Sequence, residues 1–178
     1  SDINAGICTS LEIGTAHGST VAGMALSNGN ANGTNKGFAP EADIIVVETD
    51  FSLPNWSISI AEACDYIFKV ADSLGMPAVV NLSLGSYYGS HDALDPASVM
   101  IDSLLDAKEG RIVVCSAGNS GDDGPYHVGA DVDQDTSFVW MIPSPNPTAV
   151  GSSNTILVEF WVDTTAADFF YSFAADTP

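Results

Sequence analysis

Basic residues are scarce in this chain. Its 178 residues include only four Lys and Arg but 23 Asp and Glu, which gives a net charge of -19. Binding to nucleic acid depends on clustered Lys and Arg that neutralise phosphates. The composition therefore argues against nucleic acid as a partner, and against an anionic membrane surface for the same reason. Such acidity is typical of a protein in a secreted or cell-envelope setting, and cation binding or a salt-rich source are the alternatives.

Cysteines are few and long apolar runs are missing. Cys8, Cys64 and Cys115 are odd in number and widely spaced, and no Cys-x-x-Cys pair occurs. This pattern argues against a disulfide framework and against a cysteine metal site. Cys64 and Cys115 lie in apolar runs, so burial is predicted for both. No run of about 18 apolar residues occurs, so no membrane span is predicted.

Strands and helices alternate in the secondary structure that the sequence predicts. Short apolar, β-branched runs predict buried strands, at 42–48, 78–82 and 111–115. One intervening helix is opened by a capping box at Ser59–Glu62 and ended by Gly75; the next runs from Asp95-Pro96 to Lys108. This β-α-β-α-β order predicts an α/β fold in which helices flank a parallel sheet.

A further helix, rich in small residues, is predicted to start at His17 and to end near residues 28–29. Its small residues would let it pack very close to its neighbours; they are Gly18, Ala22, Gly23 and Ala25. A His ionises near neutral pH, so His17 is suited to act as a general base if a nucleophile lies within hydrogen-bond reach.

The pattern changes after about residue 128. Aromatic and β-branched segments lie at 138–142, 156–162 and 169–173, and a Pro-rich stretch interrupts them. Such segments are typical of antiparallel strands. The change predicts two domains, residues 1–128 and residues 129–178.

Polar and glycine-containing segments follow two of the predicted parallel strands. In such sheets the binding crevice lies beyond the carboxyl ends of the strands. Ser83-Leu84-Gly85 follows the second strand, and an extended peptide could add to it as a further strand. Ser116-Ala117-Gly118 follows the third strand, and Asn119 comes next. A fixed Asn amide can stabilise the oxyanion of a tetrahedral intermediate.

Three segments, taken together, resemble the subtilisin-like serine proteases, or subtilases, over about residues 13–121. They are His17–Gly23, Asn81–Gly85 and Ser116–Asn119, and Ser19 and Thr20 depart from the usual His-Gly-Thr-His. The resemblance implies a serine endopeptidase that uses an Asp/His/Ser triad. In it His17 would be the general base and Asn119 the oxyanion-hole residue. The substrate-binding residues would be Ser83, Leu84, Gly85, Ser116, Ala117 and Gly118.

Two parts of a subtilase are missing from the sequence. No Asp-Thr-Gly or Asp-Ser-Gly precedes His17, and no Gly-Thr-Ser-Met type of segment follows Asn119. The chain is therefore expected to be a middle fragment, inactive alone, with the Asp and Ser on a complementary chain or elsewhere in a parent protein. Asp2 is expected to cap a helix. Some bacterial subtilases carry a β-sandwich between the oxyanion Asn and the Ser, and residues 129–178 would begin such an insertion.

Two other functions stay open. One is a pseudoprotease that binds peptides without cleaving them. The other is a carbohydrate- or protein-binding module in which Trp140 and Trp161 are exposed. No cofactor is expected, although the alternating carboxylates at 131–135 leave calcium open. His91 and His127 have no companion motif and are expected at the surface.

Overall fold

The computed structural model describes residues 17–30, 33–119, 121, 127–129, 137–141, 158–162, 165 and 170–174. The elements follow in the order α1 (His17–Leu26), α2 (Trp56–Leu74), β1 (Ala78–Leu82), α3 (Pro96–Asp106) and β2 (Arg111–Cys115). Helices and a parallel sheet make this an α/β fold, as predicted. No helix in these ranges has both the length and the apolar character required to cross a membrane.

The described residues belong to two compact units. The first lies within residues 1–86 and 93–119 and contains every element named above. The second lies within residues 87–92 and 120–178. The predicted division into residues 1–128 and 129–178 stays a prediction.

β1 and β2 pair in parallel, from Ala78 opposite Arg111 to Leu82 opposite Cys115. Side chains alternate between the two faces of a strand, and one face of this sheet packs against the helices. Its centre is a cluster of Cys64, Phe68 and Val80, all at most 4% exposed. The partly buried residues around this core are Ile67, Ala78, Leu82, Ile101, Leu104, Leu105 and Val113.

The opposite face of the sheet differs from the prediction of fully buried strands. Val79 is 66% exposed, Ile112 54% and Val114 50%. Apolar, β-branched sequence indicates a strand, but burial also requires a second layer to cover that face. Among the described residues, no element covers this face enough to bury these three side chains.

α2 supplies most of the buried residues, and its apolar face is the one predicted. Ile60, Ala61, Cys64, Phe68 and Ala71 are buried along it. The helix begins at Trp56 after Asn55, so the predicted start at a Ser59–Glu62 capping box is wrong. It ends as predicted at Gly75, whose φ of 69° is the left-handed conformation that glycine adopts readily.

α3 begins where the sequence predicts. Asp95 accepts hydrogen bonds from the backbone N–H groups of Ala97 and Ser98, at 3.0 and 3.1 Å, and Pro96 is the first helical residue. These bonds satisfy two of the N–H groups that the first turn of a helix leaves unpaired. The Ser98 hydroxyl also donates to Asp95, and this bond is the main cause that lowers the pKa of the Asp95 carboxyl.

The predicted strand at 42–48 is not formed. These residues are not part of any strand, and Ile44 and Val46 are 56% and 78% exposed. A β-branched run predicts an extended chain, but a strand also needs a neighbouring strand to receive its hydrogen bonds. In the described part of the chain the sheet consists of β1 and β2 alone.

The two described cysteines differ in burial. Cys64 is fully buried as predicted, and burial raises the pKa of its thiol, as does the nearby Cys115 to a lesser degree. Cys115 is exposed, contrary to the prediction, because it is the last residue of β2, beyond Val113, which packs on the core.

Aromatic side chains gather in the second unit. The rings of Phe160 and Tyr171 stack with their centroids 4.7 Å apart. The centroid of the Phe173 ring lies 6.2 Å from that of Phe160 and 5.8 Å from that of Tyr171. The described residues 137–141, 158–162 and 170–174 are not assigned to strands. Antiparallel pairing in this region stays a prediction.

Candidate functional site

The segments that follow β1 and β2 lie side by side at the carboxyl end of the sheet. The Ser116 N–H donates to the Leu82 carbonyl at 3.1 Å, which continues the sheet's hydrogen bonding one residue beyond β2. The Ser116 hydroxyl donates to the Leu84 carbonyl at 3.0 Å. Ser116 therefore joins two of the predicted substrate-binding segments, Ser83–Gly85 and Ser116–Gly118.

In the described part of the chain, one side of this junction is exposed at Gly85. The Asn81 amide donates to the Ser83 hydroxyl at 3.0 Å, which orients the start of the first segment. Gly85 is exposed, and a Cβ placed on it would come no closer than 3.8 Å to another side chain, the Ser116 hydroxyl. Packing among the described residues therefore does not require glycine at 85, and a ligand's approach remains the predicted reason for it.

Gly118 and Asn119 follow β2 closely, and the chain bends at Asn119. Gly118 has a φ of 88°, a conformation that strains residues with a Cβ. Asn119 follows it and is exposed. Asn119 thus lies on the segment that leaves the same end of the sheet as Ser83–Gly85. Its role as an oxyanion-hole donor stays a prediction.

His17 is the first residue of α1 and is exposed. Among the described residues it forms no hydrogen bond, ion pair or ring contact with Ser83–Gly85 or Ser116–Asn119. The structure therefore brings the two segments at the sheet edge together but does not join His17 to them.

α1 carries no buried residue, so the predicted close packing of this helix is wrong for the described part of the chain. Small residues permit close packing, but they provide little apolar area to drive it. One close approach does occur, at the C-terminal end of the helix. The N–H groups of Gly37, Phe38 and Ala39 donate to carbonyls in and just after its last turn, at 2.8–3.3 Å. No sequence motif marks this contact.

An open depression of about 350 Å³ lies between residues 47–53 and α2. Glu48, Asp50 and Glu62 lie on its wall with Tyr66. The Ser52 hydroxyl and N–H both donate to Asp50, and these bonds lower the pKa of its carboxyl. The depression thus carries three carboxyl groups, and no sequence motif marks it because they come from two separate segments.

The remaining predicted sites have different outcomes. Asp2 and residues 131–135 lie outside the described residues. In the described part of the chain, no group of three or more His, Cys, Asp or Glu could hold a metal ion. His91 and His127 are exposed, as predicted, but they contact each other. Trp140 and Trp161 are 76% and 61% exposed.

Comparison with known proteins gives one family. No curated protein and no solved structure matches the chain. A sequence model of the subtilase family matches residues 10–173. The match extends well beyond residue 121, where the motif-based resemblance ended, and includes the aromatic segments of the second unit.

Proposed function

Because the chain belongs to the subtilase family, we propose that it is part of a serine endopeptidase that cleaves peptide bonds with an Asp/His/Ser triad. Family membership by itself assigns a function of the serine-peptidase type. Our proposal adds the roles of individual residues: His17 as general base, Asn119 as oxyanion-hole donor, and the sheet-edge segments as the substrate-binding surface.

The observation that carries the proposal is the junction at the carboxyl end of the sheet. The Ser116 bonds to Leu82 and Leu84 hold Ser83–Gly85 beside Ser116–Gly118. An extended peptide that lies along Ser83–Gly85 would gain backbone hydrogen bonds, and its scissile carbonyl could then reach Asn119. Both segments are made of small residues apart from Leu84, so they leave room for a substrate side chain.

In the proposed reaction His17 accepts the proton of the triad Ser hydroxyl as that oxygen attacks the scissile carbonyl. The Asn119 amide donates to the oxyanion, and His17 then protonates the leaving amine. Removing one oxyanion-hole donor lowers kcat about 100- to 1000-fold in subtilisin, the enzyme from which this magnitude comes. The triad Asp would hold the His17 ring in the productive tautomer.

The Asp and Ser of the triad are the parts that this sequence does not display. We propose that a complementary chain, or another part of a parent protein, supplies them, and that this chain alone hydrolyses peptides little or not at all. We also propose a secreted or cell-envelope location, supported by the acidic composition. Residues 129–178, which the sequence predicts to be β-rich, would belong to an insertion between Asn119 and the triad Ser.

The experiment is intact mass spectrometry of the purified protein, with any co-purifying chain, before and after a fluorophosphonate. We expect an adduct on a Ser outside this chain, and His17→Ala should slow its formation at least 100-fold because Ser activation needs the base. His91→Asn is the matched control and should label at the wild-type rate. Labelling of His17→Ala at the wild-type rate would remove His17 from the mechanism. Peptide binding without any adduct would support the pseudoprotease instead.

A second candidate function is a carbohydrate- or protein-binding module in the second unit. The exposure of Trp140 and Trp161 favours it, since exposed aromatic faces are common at binding surfaces. Glycan-array binding that Trp161→Ala abolishes would support this function, and unchanged binding in that variant would contradict it.

A further inference from the structure

Two of the chain's three histidines lie against each other in the second unit. The ring centroids of His91 and His127 are 3.8 Å apart, with the ring planes inclined by 56°. The Nε2 atom of His91 lies 3.1 Å from the Tyr87 carbonyl oxygen, and that of His127 lies 3.2 Å from the same oxygen. Both imidazoles therefore direct the same nitrogen at a single point.

Two neighbouring imidazoles gain little from sharing one exposed carbonyl, because water can replace either bond at small cost. Convergence of two Nε2 atoms is, however, what a metal ion with imidazole ligands requires. Neutral imidazole is a common ligand for Zn²⁺, Ni²⁺ and Cu²⁺, with Zn–N bonds of about 2.0–2.1 Å.

The surroundings favour a cation. The chain carries a net charge of -19, and carboxylates lie beside the loop that contains His91. Asp92 accepts a hydrogen bond from Ser90, and Glu159 accepts one from the Gly89 N–H at 2.9 Å. Such a field raises the local concentration of cations, while the two imidazoles select transition metals over Mg²⁺ and Ca²⁺, which prefer oxygen ligands.

We propose that His91 and His127 form a binding site for a divalent first-row transition metal, with their Nε2 atoms as ligands and water at the remaining positions. Binding requires each neutral ring to carry its proton on Nδ1 and to release the Tyr87 carbonyl. Because both side chains are exposed, rotation about χ1 and χ2 can turn the two nitrogens onto one ion. The bound metal would tie residues 87–92 to the chain around His127.

The test is a ZnCl₂ titration of the full chain, followed by NMR of the histidine imidazoles. Three histidines give three sets of ring signals, so each residue acts as its own probe. We expect the signals of His91 and His127 to shift together and to saturate at one equivalent, while those of His17 stay in place. NiCl₂ should bind more tightly than MnCl₂, following the general order of divalent metal affinities.

Three substitutions complete the test. His91→Asn and His127→Asn should each weaken Zn²⁺ binding at least tenfold, and Asn suits the positive φ of 54° at position 91. His17→Asn removes the histidine that lies outside the proposed metal site and should leave Zn²⁺ binding unchanged. The proposal fails if His17 signals shift as strongly as the other two, if MgCl₂ produces the same shifts, or if the variants bind Zn²⁺ as well as wild type. The readout is independent of peptidase activity.

Discussion

Position 37 has no room for a side chain, because the backbone of α1 lies against it. A Cβ at this position would lie 2.6 Å from the Leu26 nitrogen and 2.7 Å from the Ala25 carbonyl oxygen. These are main-chain atoms of α1, so they cannot swing away as the end of a flexible side chain could. The approach permits the N–H groups of residues 37–39 to pair with carbonyls at the end of α1, which a helix otherwise leaves unpaired.

Gly37→Ala should therefore separate this segment from α1 and lower the free energy of unfolding by about 1–3 kcal/mol, as other overpacked substitutions do. Gly23, inside α1, provides the matched control, because a Cβ there meets no described atom within 4 Å outside the backbone of its own helix. Gly23→Ala should raise stability by up to about 1 kcal/mol. Thermal unfolding followed by circular dichroism measures both. Equal melting temperatures for the two variants would contradict the contact.

At the scale of elements, Arg111 joins α2, α3 and β2. It is the first residue of β2, and its side chain is only 11% exposed. One guanidinium nitrogen donates to the Leu104 carbonyl of α3 at 2.6 Å, and another to Asp72 of α2 at 2.6 Å. The guanidinium also lies 5.0 Å from the centre of the Phe68 ring, within the range of a cation–π contact.

Arg111→Ala should destabilise the first unit by about 1.5–3 kcal/mol, the range for hydrogen bonds that involve a charged group. Lys108→Ala is the control, since Lys108 pairs with the same Asp72 at 2.8 Å but is half exposed and contacts neither Leu104 nor Phe68 in the hydrogen bonds and ring contacts described. Exposed pairs contribute little to stability, so this loss should be clearly smaller. Urea unfolding provides the comparison. A larger loss in the Lys108 variant would show that charge alone, and not the three-way contact, matters.

Elements with local signals were predictable from the sequence. Asp95-Pro96 marks the start of α3 because the cap and its hydrogen bonds lie within three residues, and Gly75 ends α2 for a similar reason. The apolar, β-branched pattern at 42–48 predicted a strand that does not form, because strand pairing depends on residues far away in the sequence. The start of α2 was misplaced because Ser59–Glu62 lies inside a helix whose first turn carries no motif.

The candidate site was predictable in part for the same reason. Parallel strands end at one edge of a sheet, so Ser83–Gly85 and Ser116–Gly118 could be expected to be neighbours. The position of His17 relative to them depends on the packing of α1, which contributes no buried residue. No local pattern specifies such packing.

At the scale of the whole molecule, charge should dominate the response to pH. The 23 acidic residues repel one another at neutral pH, and self-repulsion destabilises a compact state. Asp72 acts in the opposite direction, because its ionised carboxylate stabilises the folded state. Hydrogen bonds from Lys108, and then Arg111, lower the pKa of its carboxyl from the ordinary 3.8, as the bond from Ser98 does for Asp95.

The melting temperature at pH 7 should therefore rise when 0.5 M NaCl is added, because salt screens the repulsion between carboxylates. Below about pH 4 it should fall. A carboxyl whose pKa is lowered by folding stabilises the protein above its unfolded pKa, and that contribution is lost as pH falls through the folded pKa. Melting curves at pH 7, 5 and 3 measure this. A melting temperature that changes with neither salt nor pH would contradict both expectations.

The parallel pairing of β1 with β2 also has a consequence for the time course of folding. Ala78 can meet Arg111 only after the whole intervening chain, α3 included, has closed into a loop, and the entropy of closure is lost before pairing compensates it. α2 forms from local contacts within about a microsecond. During synthesis, therefore, β1 leaves the ribosome before β2, its partner in the described sheet. Until Cys115 has followed, Val80 lacks the core contacts that α3 and β2 provide. A chaperone, or a pause in translation near that point, would act on this interval.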